Sequence, residues 1–390
     1  MDRENFDAII TRYLEKFDYT NGEKPEEYFK WSAIARFQKN WNLESDDLYD
    51  TFSRAIAKTS VLLDGGHSAP SSGIKALLKI PDEVEYVREA FRSLFTPTAD
   101  LAVRDLLVEK FIVDINARIK KHWANDSFKL QTTRSALCYL ALAAPKQNYF
   151  YMFSKADNWA NYTEYGFDIG SGSSFSLPVY YNMCEELVSE INADPRLKKC
   201  NTERMSKAGV SFDDDYHTLA YDIIYCATTY DLYIDIPTYQ SKSVKERIQR
   251  AKEREELNTL LHAAEKTRQE LNSLEGHEFA EFGLTGRSVR HTKYGEGTIL
   301  SHEGFKLVAQ FGQERKTLVY PAAFESKSLV LASPEEMNHF LETERAKEQH
   351  IKLKKAADEA DNKYITHKAA FDRKWIKRVH NDQIVKNEDE

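Results

Sequence analysis

The chain has little of what would build a covalent or metal framework. Its 390 residues hold four cysteines, Cys138, Cys184, Cys200 and Cys226, set far apart. They form no C-x-x-C pair and have no histidine at ligand spacing, so reduced, mostly buried thiols are expected rather than zinc or disulfides. No run of 18 apolar residues occurs. The longest, near Ala136–Ala144 and Ala220–Cys226, have the length of core segments, and no membrane-crossing helix is predicted. The opening Met1-Asp2-Arg3-Glu4 lacks the apolar stretch of a secretory leader, so a cytoplasmic location is expected.

Catalytic signatures are also missing. The sequence contains no G-x-x-x-x-G-K-[ST] and no G-x-S-x-G. Asp64-Gly65-Gly66-His67-Ser68 and Gly170-Ser171-Gly172-Ser173-Ser174 lack the Lys-Ser/Thr that completes a phosphate loop, and they read as surface loops. Asp213, Asp214 and Asp215 with His217 offer metal-ligand chemistry, but acids there equally suit the positive end of a helix. No catalytic residue, cofactor or metal is assigned.

What is present is helix, charge and aromatic side chains. The chain is 42% hydrophobic and 30% charged, with a net charge of −8. The charge is uneven. Residues 286–333 carry seven Lys/Arg against four Glu, and residues 351–380 carry nine Lys/Arg against four acids. A basic final third beside an acidic remainder points to an anionic partner for the former.

The predicted fold is mainly α with a small β-barrel, in four parts. Residues 1–240 form a helical domain. Phe6, Ile9, Ile10, Tyr13, Leu14 and Phe17 make one helical stripe, and Trp31, Ile34, Phe37 and Trp41 make another. Ser45 is the expected cap of a third helix. Further helices are predicted over 83–95, 100–116, 132–143, 156–162, 179–191 and 214–229. Asn148–Phe153 reads as strand-like, dense in aromatics. Trp31, Trp41, Tyr149, Phe150, Tyr151, Phe153, Trp159 and Tyr162 are expected in the core, with a stacking cage for a modified base as the alternative. Residues 241–285 form a charged helical arm, with Leu257, Leu261, Ala264, Leu271 and Leu274 as a thin seam. Residues 334–390 form a second charged helix, started by Ser333-Pro334-Glu335-Glu336, running towards His380 and ending in a frayed tail. The two arms match in length and pattern, which suits antiparallel pairing into a coiled coil.

Between the arms, residues 286–333 alternate in the manner of short strands separated by turns at Tyr294-Gly295-Glu296-Gly297, Glu303-Gly304 and Phe311-Gly312. Five short strands cannot cover both faces of a flat sheet, so closure is expected. Val289-Arg290-His291-Thr292-Lys293-Tyr294-Gly295-Glu296-Gly297-Thr298-Ile299 resembles the V-x-H-x-x-[FY]-G-x-G-x-[VI] signature of a bacterial Tudor/SH3-like module, found at the C-terminus of UvrD/PcrA-type helicases. Lys316–Phe324 and Leu329 resemble its closing strands. The resemblance covers about 45 residues and implies an adaptor that binds RNA polymerase or nucleic acid. The helicase motor is absent. More distantly, Lys30–Leu43, Asn148–Phe153 and Tyr216–Asp222 resemble the helical domain ahead of the GTPase module in McrB-type restriction proteins, which implies a setting in DNA metabolism or phage defence.

The candidate partner-binding residues are Arg287, Arg290, Lys293 and Lys316 for phosphate, Tyr294 and Phe305 for stacking, and the basic helix end Lys374, Trp375 and Arg378. Against this stand plainer roles: a solvated basic face, His291 as a structural strand-end residue, and Gly295 and Gly297 as turn residues. Three functions follow. One is a non-catalytic adaptor. Another is a nuclease or other defence effector, with converging carboxylates hidden in the helical domain. The last is an architectural coiled-coil oligomer joined through the charged helices.

Overall fold

A computed structural model describes residues 1–17, 26–63, 69–124, 130–239, 243–275, 282–375 and 378–379. The Asp64–Ser68 loop and the side chain of Arg378 lie outside the described residues. The chain divides into two compact units, 1–252 with 375–390, and 253–374.

The first unit is helical. Its elements are α1 (Arg3–Lys16), α2 (Phe29–Asn40), α3 (Leu48–Ala55), α4 (Pro70–Leu77), α5 (Pro81–Leu94), α6 (Leu101–His122), α7 (Thr133–Ala143), α8 (Phe153–Tyr162), α9 (Leu177–Ala193), α10 (Pro195–Ala208) and α11 (His217–Thr229). Two short strands, β1 (Pro237–Thr238) and β7 (Arg378–Val379), pair antiparallel in the same unit. Helix α12 (Val244–Glu275) contributes its start to this unit and its remainder to the second.

α7 and α11 are apolar nearly all round and lie buried along their lengths, which makes them the centre of the unit. The other helices each offer one apolar stripe to this centre. The predicted stripes of α1 and α2 are the buried faces. Trp31, Trp159, Tyr149, Phe150 and Tyr151 are buried as core, while Phe153 is exposed. Each large side chain fully buried in this way stabilises the fold by about 1.5–3 kcal/mol. All four cysteines are free and buried.

Several local expectations change. Asn148–Phe153 is not a strand: the Phe150 carbonyl accepts from the Tyr180 hydroxyl and the Met152 carbonyl from the amides of Lys155 and Ala156, and no ladder forms there. The cap of α3 is Asp47, whose carboxylate accepts from the Asp50 amide at 2.9 Å, and not Ser45. The final helix stops at Lys374, and the chain then returns to pair with β1. α10 went unpredicted, although Asp194 caps it, Pro195 opens it and Gly209 closes it in a left-handed conformation. Its inner face is completed by Arg204 rather than by a hydrophobe, so no apolar period marks it.

The second unit holds β2 (Ser288–His291), β3 (Gly295–Glu303), β4 (Lys306–Phe311), β5 (Glu314–Val319), the short α13 (Ala322–Glu325), β6 (Leu329–Leu331) and α14 (Pro334–Lys374). The strands form one antiparallel sheet in the order β5-β4-β3-β2-β6. The expected closure does not occur, since no ladder joins β5 to β6 among the described residues. The inward residues Val289, Ile299, Leu307, Ala309, Phe311, Leu329 and Leu331 are instead covered by Phe324 of α13 and Phe340 of α14, whose rings meet at 4.7 Å. A helical lid removes the need for the sheet to cover itself.

Within this unit α12 and α14 run antiparallel. Lys374 pairs with Glu253 at 2.6 Å and Arg268 pairs with Asp361, so position rises along one helix as it falls along the other. Shielded residues recur along α12 at heptad spacing, from Leu257 through Ala264 to Leu271.

Candidate functional site

The turn between β2 and β3 builds the most concentrated group of predicted residues. His291 Nδ1 accepts the amides of Lys293 at 3.0 Å and Tyr294 at 3.3 Å, which fixes the turn. Gly295 closes it with φ +79°, a conformation costly for any side chain. Tyr294 is thereby laid against His291 (4.6 Å between centroids) and Phe311 (5.6 Å).

Two ammonium groups converge on this ring. Lys293 Nζ lies 5.6 Å and Lys316 Nζ 5.2 Å from the Tyr294 centroid. Lys316 comes from β5, well apart from the β2–β3 turn in the sheet order, so the tertiary fold and not the sequence brings the pair together. Lys316 also pairs with the exposed Glu314 at 2.7 Å, and that contact raises its pKa. An exposed pair of this kind is easily exchanged for a stronger anion. Lys293 has no carboxylate partner among the described residues.

The other candidates are placed elsewhere. Arg290 lies exposed beside Glu296 at 3.2 Å. Arg287 pairs with Glu336 of α14 and covers the Phe282 ring, so it ties the sheet to its lid. Phe305, 80% exposed, stands at the β3–β4 turn near exposed Val319, whose register partner is Lys306. Lys374 is held by Glu253. Trp375 packs under the Arg250 guanidinium at 5.1 Å.

The acid run resolves into separate roles. Asp214 is buried and caps α11, accepting from Tyr216 at 3.1 Å and Thr218 at 3.2 Å. Asp213 and Asp215 hold Lys146 at 2.8 Å and 3.3 Å.

One constellation was missed. Asp222, in the middle of α11, is fully buried between two cations, with Lys30 Nζ at 2.7 Å and Arg204 Nη2 at 2.7 Å. The Tyr13 hydroxyl donates to the same carboxylate at 2.5 Å, and Glu27 takes a further bond from Lys30. Burial opposes the charge of Asp222, but Arg204 and Lys30 outweigh it and hold the carboxyl below its usual range. Burial likewise opposes the charge of Lys30, and Asp222 reverses this and raises the amine. Glu27, Asp222 and Cys226 are close enough to ligate a metal, yet the Lys30 ammonium already bonds both carboxylates. Burial also drives the Cys226 thiol far up, which disfavours a thiolate ligand. The group is a structural ion cluster. Its sequence signal was Asp222 interrupting an apolar helix and Lys30 preceding Trp31 on a buried face.

Compared with known proteins, the chain matches no family model, no curated protein and no solved structure.

Proposed function

We propose that the protein is a non-catalytic interaction protein whose five-stranded unit is a Tudor/SH3-like adaptor module, acting in bacterial DNA metabolism or phage defence. The module binds a nucleic-acid strand across Tyr294. The observation that carries this reading is the convergence of Lys293 and Lys316 on one partly exposed aromatic ring. A base stacks on an aromatic face while flanking cations take the adjoining phosphates, a combination that needs no particular sequence. The strand order supports the module assignment, since a four-strand meander, one helical turn and a fifth strand beside the first suit an SH3-like chain path. Exposed Phe305 and Val319 favour a second reading, in which RNA polymerase or another protein docks on that end of the sheet.

Fluorescence anisotropy with a labelled oligothymidine and the full chain tests the first reading. Combined Lys293→Glu and Lys316→Glu should abolish binding. Each single substitution should flatten the salt dependence, its log–log slope falling by about 0.7 for every single-strand phosphate that is no longer neutralised. Tyr294→Leu should cost about 1–3 kcal/mol of affinity. Binding that is unchanged by all three substitutions sinks the nucleic-acid reading. Capture of polymerase that disappears on Phe305→Glu would support the second.

A further inference from the structure

The helical unit contains a cavity of about 500 Å³, lined in part by Lys146, Tyr181, Glu185, Asp215, Tyr216 and His217. This volume falls within the range of small-molecule sites. The nucleic-acid reading above makes no use of it.

His217 is the unusual member. It is only 7% exposed, and its ring is stacked on Tyr149 at 4.1 Å with an interplanar angle of 18°. Nδ1 is buried and has no hydrogen-bond partner among the described residues. Nε2 lies 3.7 Å from Glu185 Oε1, beyond hydrogen-bond reach. Burial lowers the pKa of His217, against the pull of Glu185, Asp214, Asp215 and the Asn148 backbone, so the ring is neutral at neutral pH. A neutral imidazole has one donor and one acceptor nitrogen. With the proton on the buried Nδ1, Nε2 is an acceptor that no donor faces among the described residues.

The surroundings indicate what the donor is. The Tyr149 hydroxyl donates to Glu185 Oε1 at 2.8 Å, leaving the rest of that carboxylate open. Lys146 is the one cation in the lining, and Asp213 and Asp215 already hold it. The positive end of α11 is likewise occupied by the Asp214 cap. The lining therefore offers acceptors, net negative charge and tyrosine rings, and among the described residues it lacks an available cation for an anionic ligand. Asp215 and Tyr216, both with positive φ (49° and 67°), hold the loop in a strained form that leads directly into His217.

We propose that this cavity binds a small organic ammonium ion, a primary amine whose N–H groups bridge His217 Nε2 and the Glu185 carboxylate. Tyrosine faces in the lining favour the same charge.

Isothermal titration calorimetry on the full chain tests this, with putrescine and spermidine as probes and butane-1,4-diol as the uncharged match of putrescine. Saturable amine binding is expected, with the diol at least about tenfold weaker. Glu185→Gln changes a side chain that is 56% exposed, so the fold should survive. That variant and His217→Gln should each weaken putrescine about tenfold or more, and thermal melts check that both remain folded. Lys293→Glu with Lys316→Glu should leave amine binding intact, which separates this site from the β-sheet module. The proposal is overturned if neither amine binds saturably at millimolar concentration, if the diol binds as well as putrescine, or if Glu185→Gln binds unchanged.

Discussion

Lys30, Asp222 and Arg204 place three formal charges where the surrounding core is apolar. Their isolation from water makes the pairing obligatory, because an unpaired ion there has no solvent to fall back on. Lys30→Met should cost about 3–5 kcal/mol, read from urea denaturation, since it strips one cation from a buried carboxylate. The pH dependence has a definite sign. Asp222 has a lowered pKa in the folded state, so its contribution is complete above the unfolded value of about 3.9 and is lost as pH falls through the lower folded value. Lys30 has a raised pKa, so its share is complete below about 10.4 and is lost only as pH rises through the folded value. Asp222→Asn should therefore remove part of the acid-side loss of stability, as measured by the urea midpoint across pH. The sequence alone shows a charged residue in an apolar helix. It does not show that residues 192 positions apart, Lys30 and Asp222, answer one another.

At the scale of the element, two glycines separated by one residue do different work. Gly295 occupies a left-handed turn position with open space where a Cβ would stand. Gly297 has no such conformation. It lies in β3, where an added Cβ would come within 2.4 Å of the Gln310 carbonyl oxygen and 2.5 Å of the Phe311 ring. The expectation of turn geometry thus holds for Gly295, while Gly297 is required by the close approach of β4. Gly295→Ala should cost about 1–2 kcal/mol from backbone conformation alone. Gly297→Ala should also displace the Phe311 ring, costing about 1–3 kcal/mol from overpacking, and should shift the resonances of the Tyr294 ring beside it. NMR of the two variants distinguishes them: Gly295→Ala should perturb the turn that carries Tyr294, whereas only Gly297→Ala meets the Phe311 ring directly. The periodic pattern identified most helices because each buries one stripe. It missed α10, whose buried face includes an arginine, and it misread Asn148–Phe153, where the Phe150 carbonyl accepts from a tyrosine hydroxyl and not from a ladder.

For the whole molecule, the two units have hydrophobic cores that share no residue among those described. Independent cores favour more than one unfolding step. Calorimetry of the full chain should resolve more than one transition. Phe311→Ala, which empties about one aromatic side chain from the smaller core, should lower a single transition and leave the other in place. A uniform shift of the entire profile would contradict this. Among the described residues no helix is long and apolar enough to cross a membrane, as the absence of long apolar runs led one to expect.

The sequence by itself determined most of the helical segments, the presence of a small sheet of short strands after residue 286, and that the cysteines are unpaired. These follow from local chemistry: periodicity, caps, turn residues and the spacing of thiols. The tertiary structure decided the rest. It left the sheet open, because Phe324 and Phe340 cover its inner face. It brought Lys316 to Lys293 and Tyr294, gathered Lys30, Arg204 and Asp222 into one buried cluster, and left His217 beside Glu185 with no donor among the described residues. Each of these depends on residues remote from one another in the chain, and such pairings leave no period in a sequence.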